Sequence, residues 1–344
     1  NMRKRRIQAF GMILCMCIFM CACQSQERSV SDKLYIGVAY YDQSDTFLNE
    51  LLDCFKKYFA ESENEEMKAT VTVRDAAGSQ RTQNDQVKEL IDAGCNVLCV
   101  NLVDRTAPSE ILDLAKVEDV PVIFFNREPV SEDLMQWDKC YYVGAKAEES
   151  GVMQGELAAE AILNSEQADR NGDGKIQYVV LEGGPGHQDA IIRTENAVAT
   201  LESEGITLEK LSYGIANWNR AQAQNRMTQM IGEHKDRIEL VLANNDDMVL
   251  GAIDAYEELE YEDLARPLFF GIDGTDMGLK AMEDLKLSGT VYNDKEGQAA
   301  AMAELAIAVV SGNGMEEIAF ENGKYIYLPY SKVSLENIDD FQGR

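Results

Sequence analysis

From position 33 onward, short unbroken apolar runs alternate with longer segments in which apolar residues recur every three or four positions. The runs are LYIGVAY (34 to 40), ATVTV (69 to 73), NVLCV (96 to 100), VPVIFF (120 to 125), IQYVVL (176 to 181), ELVLA (239 to 243) and PLFFGI (267 to 272). They are rich in β-branched and aromatic residues and too short for helices, as expected of strands covered on both faces in a parallel sheet. Between them, segments such as Gln83 to Ala93, Glu148 to Leu163 and Asp246 to Leu259 carry helical periodicity. This alternation predicts an α/β doubly wound fold. At 344 residues the chain exceeds what one hydrophobic core usually serves, so two similar parallel-sheet lobes are expected.

In such sheets ligands bind beyond the carboxyl ends of the strands, and the residues found there form a chemical set. Asp45 and Phe47 follow the first run, Asn101 closes the third, and His187, Asp189 and Arg193 follow IQYVVL. Trp218 opens a helical segment, Asn245 follows ELVLAN, Asp273 follows PLFFGI, and Asn293 follows SGTVY. Carboxylates and planar amides hydrogen-bond vicinal hydroxyls, Arg193 can give two parallel bonds, and the rings of Phe47 and Trp218 can cover the C–H faces of a pyranose. Any one strand-end Asn or Asp has a plainer use as the cap of the next helix. Ten such residues at one topological place favour a sugar site. The set contains no activated Ser or Cys, and no dinucleotide fingerprint, phosphate-binding glycine loop or nucleophile elbow stands at a strand end, so a binding protein is expected rather than an enzyme.

Just before IQYVVL, Asp169, Asn171, Asp173, Gly174 and Gln177 place side-chain oxygens at alternate positions around a glycine turn, as in a calcium loop. The twelfth position, where an EF-hand has a bidentate Glu, is Val180, inside the strand run. The pattern is therefore half an EF-hand feeding a strand, with the missing carboxylate supplied from elsewhere. The same residues could serve as a solvated Asx turn; the partial loop match favours the ion.

Composition narrows the picture further. Lys and Arg number 32 against 60 Asp and Glu, a formal net charge of −28, which repels phosphate backbones and argues against a nucleic-acid partner. Residues 1–23 read as a lipoprotein signal, with a basic start at Arg3 to Arg6, an apolar stretch from Ala9 to Ala22, and a lipobox-like end in which Cys23 is the lipidation candidate. The alternative is a cleaved leader without lipid. Residues 24–32 would be a polar linker, giving an extracytoplasmic body held at the membrane only through a lipid anchor, or else a periplasmic one. Cys54, Cys95, Cys99 and Cys140 read as packing residues.

The segments NDQVKELIDAGCNVLCVNLVD (84 to 104), VPVIFFNREP (120 to 129), YYVGAKAEESGVMQGELAA (141 to 159), DRNGDGKIQYVVLEGGPGHQDA (169 to 190) and ANNDDMVLGAIDA (243 to 255) together resemble the periplasmic sugar-binding proteins of bacterial ABC importers, the galactose/glucose-binding type in particular. The resemblance implies that Asp45, Asn101, His187, Asp189, Arg193, Asn245, Asp273 and Asn293 bond the sugar, with Phe47 and Trp218 stacked on opposite faces of the ring. It implies a structural calcium ion held by Asp169, Asn171, Asp173, the Lys175 carbonyl, Gln177 and a distant Glu239. It also implies a monomer whose partners are galactose or glucose, with methyl-galactoside a further candidate, and the membrane permease of an importer. A chemoreceptor is an additional partner in some proteins of this kind. Three hinge crossings, near Asp119 to Val120, Asn293 to Asp294 and Leu328 to Pro329, would divide the chain into one lobe of 33–119 plus 295–327 and another of 121–292 plus 330–344. Two rivals are weaker. A LacI-type regulator shares the lobes but carries a DNA-binding segment where this chain has a leader, and a secreted glycosidase needs an acid and a nucleophile flanking a glycosidic bond.

Overall fold

The computed structural model describes residues 33–62, 68–185, 187–259 and 265–342; the leader, the linker and Cys23 lie outside the described residues. In chain order the elements are β1 (Lys33–Tyr40), α1 (Thr46–Ser62), β2 (Lys68–Asp75), α2 (Gln80–Asp92), β3 (Val97–Val100), α3 (Ser109–Val117), β4 (Val122–Phe125), α4 (Ser131–Leu134), β5 (Cys140–Gly144), α5 (Ala147–Leu163), β6 (Ile176–Glu182) and α6 (Gln188–Ser203). They continue with β7 (Leu208–Ile215), α7 (Arg220–His234), β8 (Leu240–Ala243), α8 (Asp246–Glu258), β9 (Leu268–Phe270), α9 (Asp276–Glu283), β10 (Thr290–Asn293), α10 (Lys295–Ser311), β11 (Tyr325–Tyr327) and β12 (Tyr330–Val333).

The first sheet has the order β11-β5-β4-β3-β1-β2 and is parallel throughout. One face is covered by α1 and α10, whose Phe55, Leu51, Met302 and Leu305 join Val38, Cys99 and Ile123 of the strands. The other face carries α2 and α3, with Leu90 and Ile111 against Leu98 and Phe124. Central strands VLCV and VIFF are buried at every position, which is why they appear in the sequence as unbroken apolar runs. The second sheet orders β7-β6-β8-β9, and single bridges from Phe270 to Gly289 and from Asp273 to Tyr292 attach β10, which pairs antiparallel with β12. It is covered by α7 and α8 on one side and α5 and α6 on the other. Strand β7 is absent from the sequence expectation because it is a sheet edge: its LEKLSYGI is only half-buried or exposed at every position, and the apolar run that signals a central strand is missing.

The expected crossing near Asp119 to Val120 is overturned by the strand pairing. Val122 to Phe124 pair with Leu98 to Val100, and Val122 to Phe125 pair with Cys140 to Val143, so β4 and β5 both belong to the first sheet. The chain instead leaves the first lobe after Gly144, and the lobes comprise 33–144 plus 295–327 and 147–293 plus 330–342. Runs such as VPVIFF are of the same kind in either sheet; only the hydrogen-bonding neighbour decides membership. The remaining crossings lie between Asn293 and Lys295 and between Tyr327 and Tyr330, and the backbone N–H of Leu328 donates to the Gly144 carbonyl at 2.8 Å, tying two crossings together.

Candidate functional site

The lobes meet over the carboxyl ends of both sheets. Thr46 Oγ1 of the first lobe donates to Asp247 of the second at 2.6 Å, and the N–H of Asp276 in the second donates to Glu50 in the first at 3.0 Å. Lys295 Nζ, beside one crossing, lies 2.6 Å from Glu50 and 3.1 Å from Asp276. The two lobes are therefore in direct polar contact.

On the first-lobe side, Asp45 caps α1 by accepting from the Leu48 N–H at 3.0 Å, and its second oxygen accepts from the Tyr41 hydroxyl at 2.7 Å. The Tyr41 N–H donates to the Asn101 side chain at 3.1 Å, so one residue joins two of the predicted ligands. Asn101 is buried and donates to Asn126 at 3.0 Å. Phe47 is buried in the first turn of α1 within the first-lobe core.

The second-lobe residues form one network. His187 caps α6, accepting from the Asp189 N–H at 3.2 Å, and its ring lies 5.0 Å from that of Trp218 at 55°. Asp189 and Arg193 stand one turn apart on the same helix. Arg193 donates to the Asn244 carbonyl at 2.7 Å and to the Tyr330 hydroxyl at 3.0 Å, and lies 3.7 Å from Asp273. Asn293 donates to Asp273 at 3.3 Å. Asn245 is a cap as well, accepting from the Met248 N–H at 2.9 Å and donating to the Trp218 carbonyl at 3.3 Å. Asp273 is held at φ 121°, a conformation rare for L-residues, by bonds of 2.8 and 2.9 Å to the backbone of Val291 and Asn293, the kind of local strain that tertiary context maintains at functional sites.

Two glycines make room for this arrangement. A Cβ on Gly183 would stand 2.1 Å from the Trp218 ring, and one on Gly151 would stand 2.6 Å from the Arg193 carbonyl oxygen, so the indole rests directly on backbone and α5 approaches α6 closely.

Burial sets the protonation pattern. It raises the carboxyls of Asp45 and Asp273 against the opposing pull of Arg193, and takes Asp189 to about 6. Burial, with Arg127 and Arg193 nearby, keeps His187 well below its ordinary value, so the imidazole is neutral. Among the described residues six buried side-chain polar atoms lack a partner, and three of them are N–H donors: Arg127 Nε, Arg193 Nε and Trp218 Nε1. Two of these three residues were predicted to bind the ligand. Each such donor costs about 1–3 kcal/mol until something accepts its bond.

The loop ahead of β6 is arranged differently. Asp169 accepts from the N–H groups of Gly172, Asp173 and Gly174, and Asn171 accepts from Asp173 and donates to Gln177 at 3.0 Å. Glu239 is buried and its two oxygens accept from the N–H of Arg170 at 2.7 Å and of Gln177 at 3.0 Å, bridging both ends of the loop. It has no ion pair among the described residues. No group of three or more His, Cys, Asp or Glu there could hold a metal unaided. The donors, carboxylates with amides, are all oxygen and each keeps a free lone pair, a set that suits a hard cation.

Sequence reasoning missed Tyr41, Arg127, Asn244 and Tyr330. Arg127 stands two residues after VPVIFF, so the strand-end rule would have found it; Tyr330 is contributed by the last hinge strand and no local signal marks it. Cys95, Cys99 and Cys140 are buried, Cys54 is partly so, and all four are free.

A model of the periplasmic binding protein domain matches residues 36–314. The chain belongs to the periplasmic binding protein family. The D-galactose/methyl-galactoside binding periplasmic protein of Haemophilus influenzae is 32% identical over 326 residues, 94% of this chain and 96% of that protein. An ABC transporter solute binding protein from Bacillus halodurans, solved with myo-inositol, superposes with a TM-score of 0.74 at 27% identity over 91% of this chain and 98% of its own. One from Clostridium phytofermentans, solved with β-D-glucose, has a TM-score of 0.71 at 20% identity over 89% of this chain and 96% of its own, a likeness of fold. Among the described residues, no helix is long and apolar enough to cross a membrane.

Proposed function

We propose that this periplasmic binding protein captures a hexose, galactose or glucose, between its lobes and presents it to the permease of an ABC importer. It is a sugar-binding transport protein outside the cytoplasm, without chemistry of its own. The observation that carries the reading is the pairing of buried carboxylates from both lobes with buried N–H donors that lack acceptors: a polyhydroxylated ring supplies donors for the first and acceptors for the second. Trp218, seated on Gly183, is the apolar platform for one ring face, with Phe47 proposed for the other. The Haemophilus relative, 32% identical over 94% of this chain, supports galactose and methyl-galactoside.

Closing the lobes then follows from divided ownership of the ligand. Asp45 and Asn101 lie on one side, Asp189, Arg193 and Asp273 on the other, so a sugar touching both stabilises the closed population. Calcium in the loop of Asp169, Asn171, Asp173, Lys175 and Gln177, with Glu239, would brace the second lobe and take no part in sugar contact. Acylation of Cys23 would tether the protein to the outer face of the cell membrane, and a chemoreceptor remains a second candidate partner. Calorimetric titration against galactose, glucose, methyl-β-galactoside, ribose and myo-inositol tests the ligand: saturable heat with the first two is expected, and heat only with ribose or inositol overturns the hexose reading.

A further inference from the structure

Three of the proposed sugar ligands in the second lobe come from three separate elements. Asn245 stands at the start of α8, Asp273 in the turn after β9 and Asn293 at the end of β10. Asn293 reaches Asp273 only at 3.3 Å, and Asn245 turns instead to the Trp218 carbonyl. What holds the three in fixed relation lies beneath them.

Asp246, next in the chain after Asn245, is 0% exposed. Its N–H donates to the Ile272 carbonyl at 2.7 Å. Its Oδ2 accepts from the Thr275 N–H at 2.9 Å and from Thr275 Oγ1 at 3.3 Å. One residue therefore clasps the turn on both sides of Asp273. The other oxygen, Oδ1, accepts from Thr290 Oγ1 at the start of β10 at 2.6 Å. From its far side the turn is held by β10 itself, through the Asp273 N–H to the Val291 carbonyl and the Asn293 N–H to the Asp273 carbonyl. Two glycines leave room for the carboxyl group: a Cβ on Gly271 would stand 2.3 Å from Oδ1, and one on Gly278 would stand 2.2 Å from Oδ2.

A carboxyl group wholly out of water and bonded by uncharged donors is costly to keep. Packing alone would be served better by an apolar side chain. What the clasp maintains is the φ of 121° at Asp273, a conformation that persists only where the surroundings enforce it.

We propose that Asp246 is a positioning residue for sugar binding: it makes no contact with the sugar and acts through Asp273, whose carboxyl it aims by holding the turn from Ile272 to Thr275 against β10. The assignment rests on the hexose reading above.

The test is calorimetric titration with galactose and glucose of wild type, Asp246→Ala, Asp246→Asn, Thr290→Val, Asp273→Asn and the double variant Asp246→Ala/Asp273→Asn, each with a sugar-free melting curve. Ala leaves the Thr275 N–H without an acceptor. Asn has the same shape and can turn its amide oxygen to Thr275 and its NH2 to Thr290 Oγ1. Thr290→Val removes one bond to Asp246 and leaves the clasp on the turn. Asp246→Ala should weaken binding about tenfold or more, with Asp246→Asn recovering most of the loss. Thr290→Val should melt lower than wild type and bind within about threefold of it. In the double variant Asp273→Asn should cost less than it does alone, because the carboxyl it removes is already misaimed, a coupling that a residue serving stability alone would not give. If Asp246→Ala does not fold, Asp246→Ser, whose hydroxyl is too short to reach the Thr275 N–H, replaces it in both arms. Wild-type affinity in the truncated variant, or additive losses in the double variant, overturns the assignment of Asp246. A wild type that takes up neither hexose overturns the ligand reading instead.

Discussion

Two polar sites lie at opposite ends of β6, and they are built on opposite principles. Ahead of the strand, the loop from Asp169 to Gln177 satisfies itself: its carboxylates accept from its own backbone N–H groups, and Glu239 clasps both ends. Beyond the strand, the cleft holds buried carboxylates displaced from their ordinary protonation and N–H donors with no acceptor. The loop is complete as a fold element, so an ion there can only add stiffness. The cleft is incomplete until a ligand enters, and its unsatisfied groups are the free energy that binding releases. A polar cluster that satisfies itself reads as structural; one that the fold keeps unsatisfied reads as functional.

The sharpest way to break this contrast is to remove the platform on the cleft side. Trp218→Ala should cost about 2–4 kcal/mol of sugar binding, roughly thirty- to several-hundredfold at about 1.4 kcal/mol per decade, with galactose and glucose affected alike because the two share that ring face. Equal affinities for wild type and variant by calorimetry would place the sugar elsewhere.

Protonation gives the next effect. Burial raises Asp189 and Asp247 from 3.8 to about 6, so the folded form keeps a proton that the unfolded chain releases. Stability from these groups is present below pH about 4 and is lost as pH rises to about 6, by up to about 3 kcal/mol for each. Melting curves of sugar-free protein should fall across that window, and Asp189→Asn should flatten the slope. A melting temperature that rises steadily from pH 4 to 6 would show that the cleft carboxylates are not buried in the sugar-free state.

On the loop side, calcium at about 100 times its dissociation constant should stabilise the protein by about 2.7 kcal/mol, and Glu239→Ala or Asp173→Ala should abolish the increment. Identical melting curves in calcium and in chelator would make the loop a turn only. The smallest effect is expected from Tyr330→Phe, which removes one acceptor from Arg193 and should weaken sugar binding by about 0.5–1.5 kcal/mol while leaving the calcium increment untouched. A loss of that increment would mean that the two ends of β6 are coupled after all.

Much of this protein was legible in the chain itself. VLCV, VIFF and LVLA are buried at every position and read as central parallel strands, and a doubly wound sheet puts its ligand at their carboxyl ends, so Asn101, Asn245 and Asp273 could be located without coordinates. The loop could be found because its spacing is local. What the chain could not determine was anything resting on partnership between distant segments. VPVIFF carries no mark of which sheet will hold it, so the first crossing was placed at Asp119 instead of after Gly144. Strand β7 is an edge and lacks the apolar run. The tertiary structure alone brought Tyr41 between Asp45 and Asn101, laid Arg127 on its ring, and delivered Tyr330 from the last hinge strand to Arg193. The physical reason is that periodicity records how each segment meets water, whereas a binding site is defined by which buried polar groups find each other and which are left waiting for a ligand.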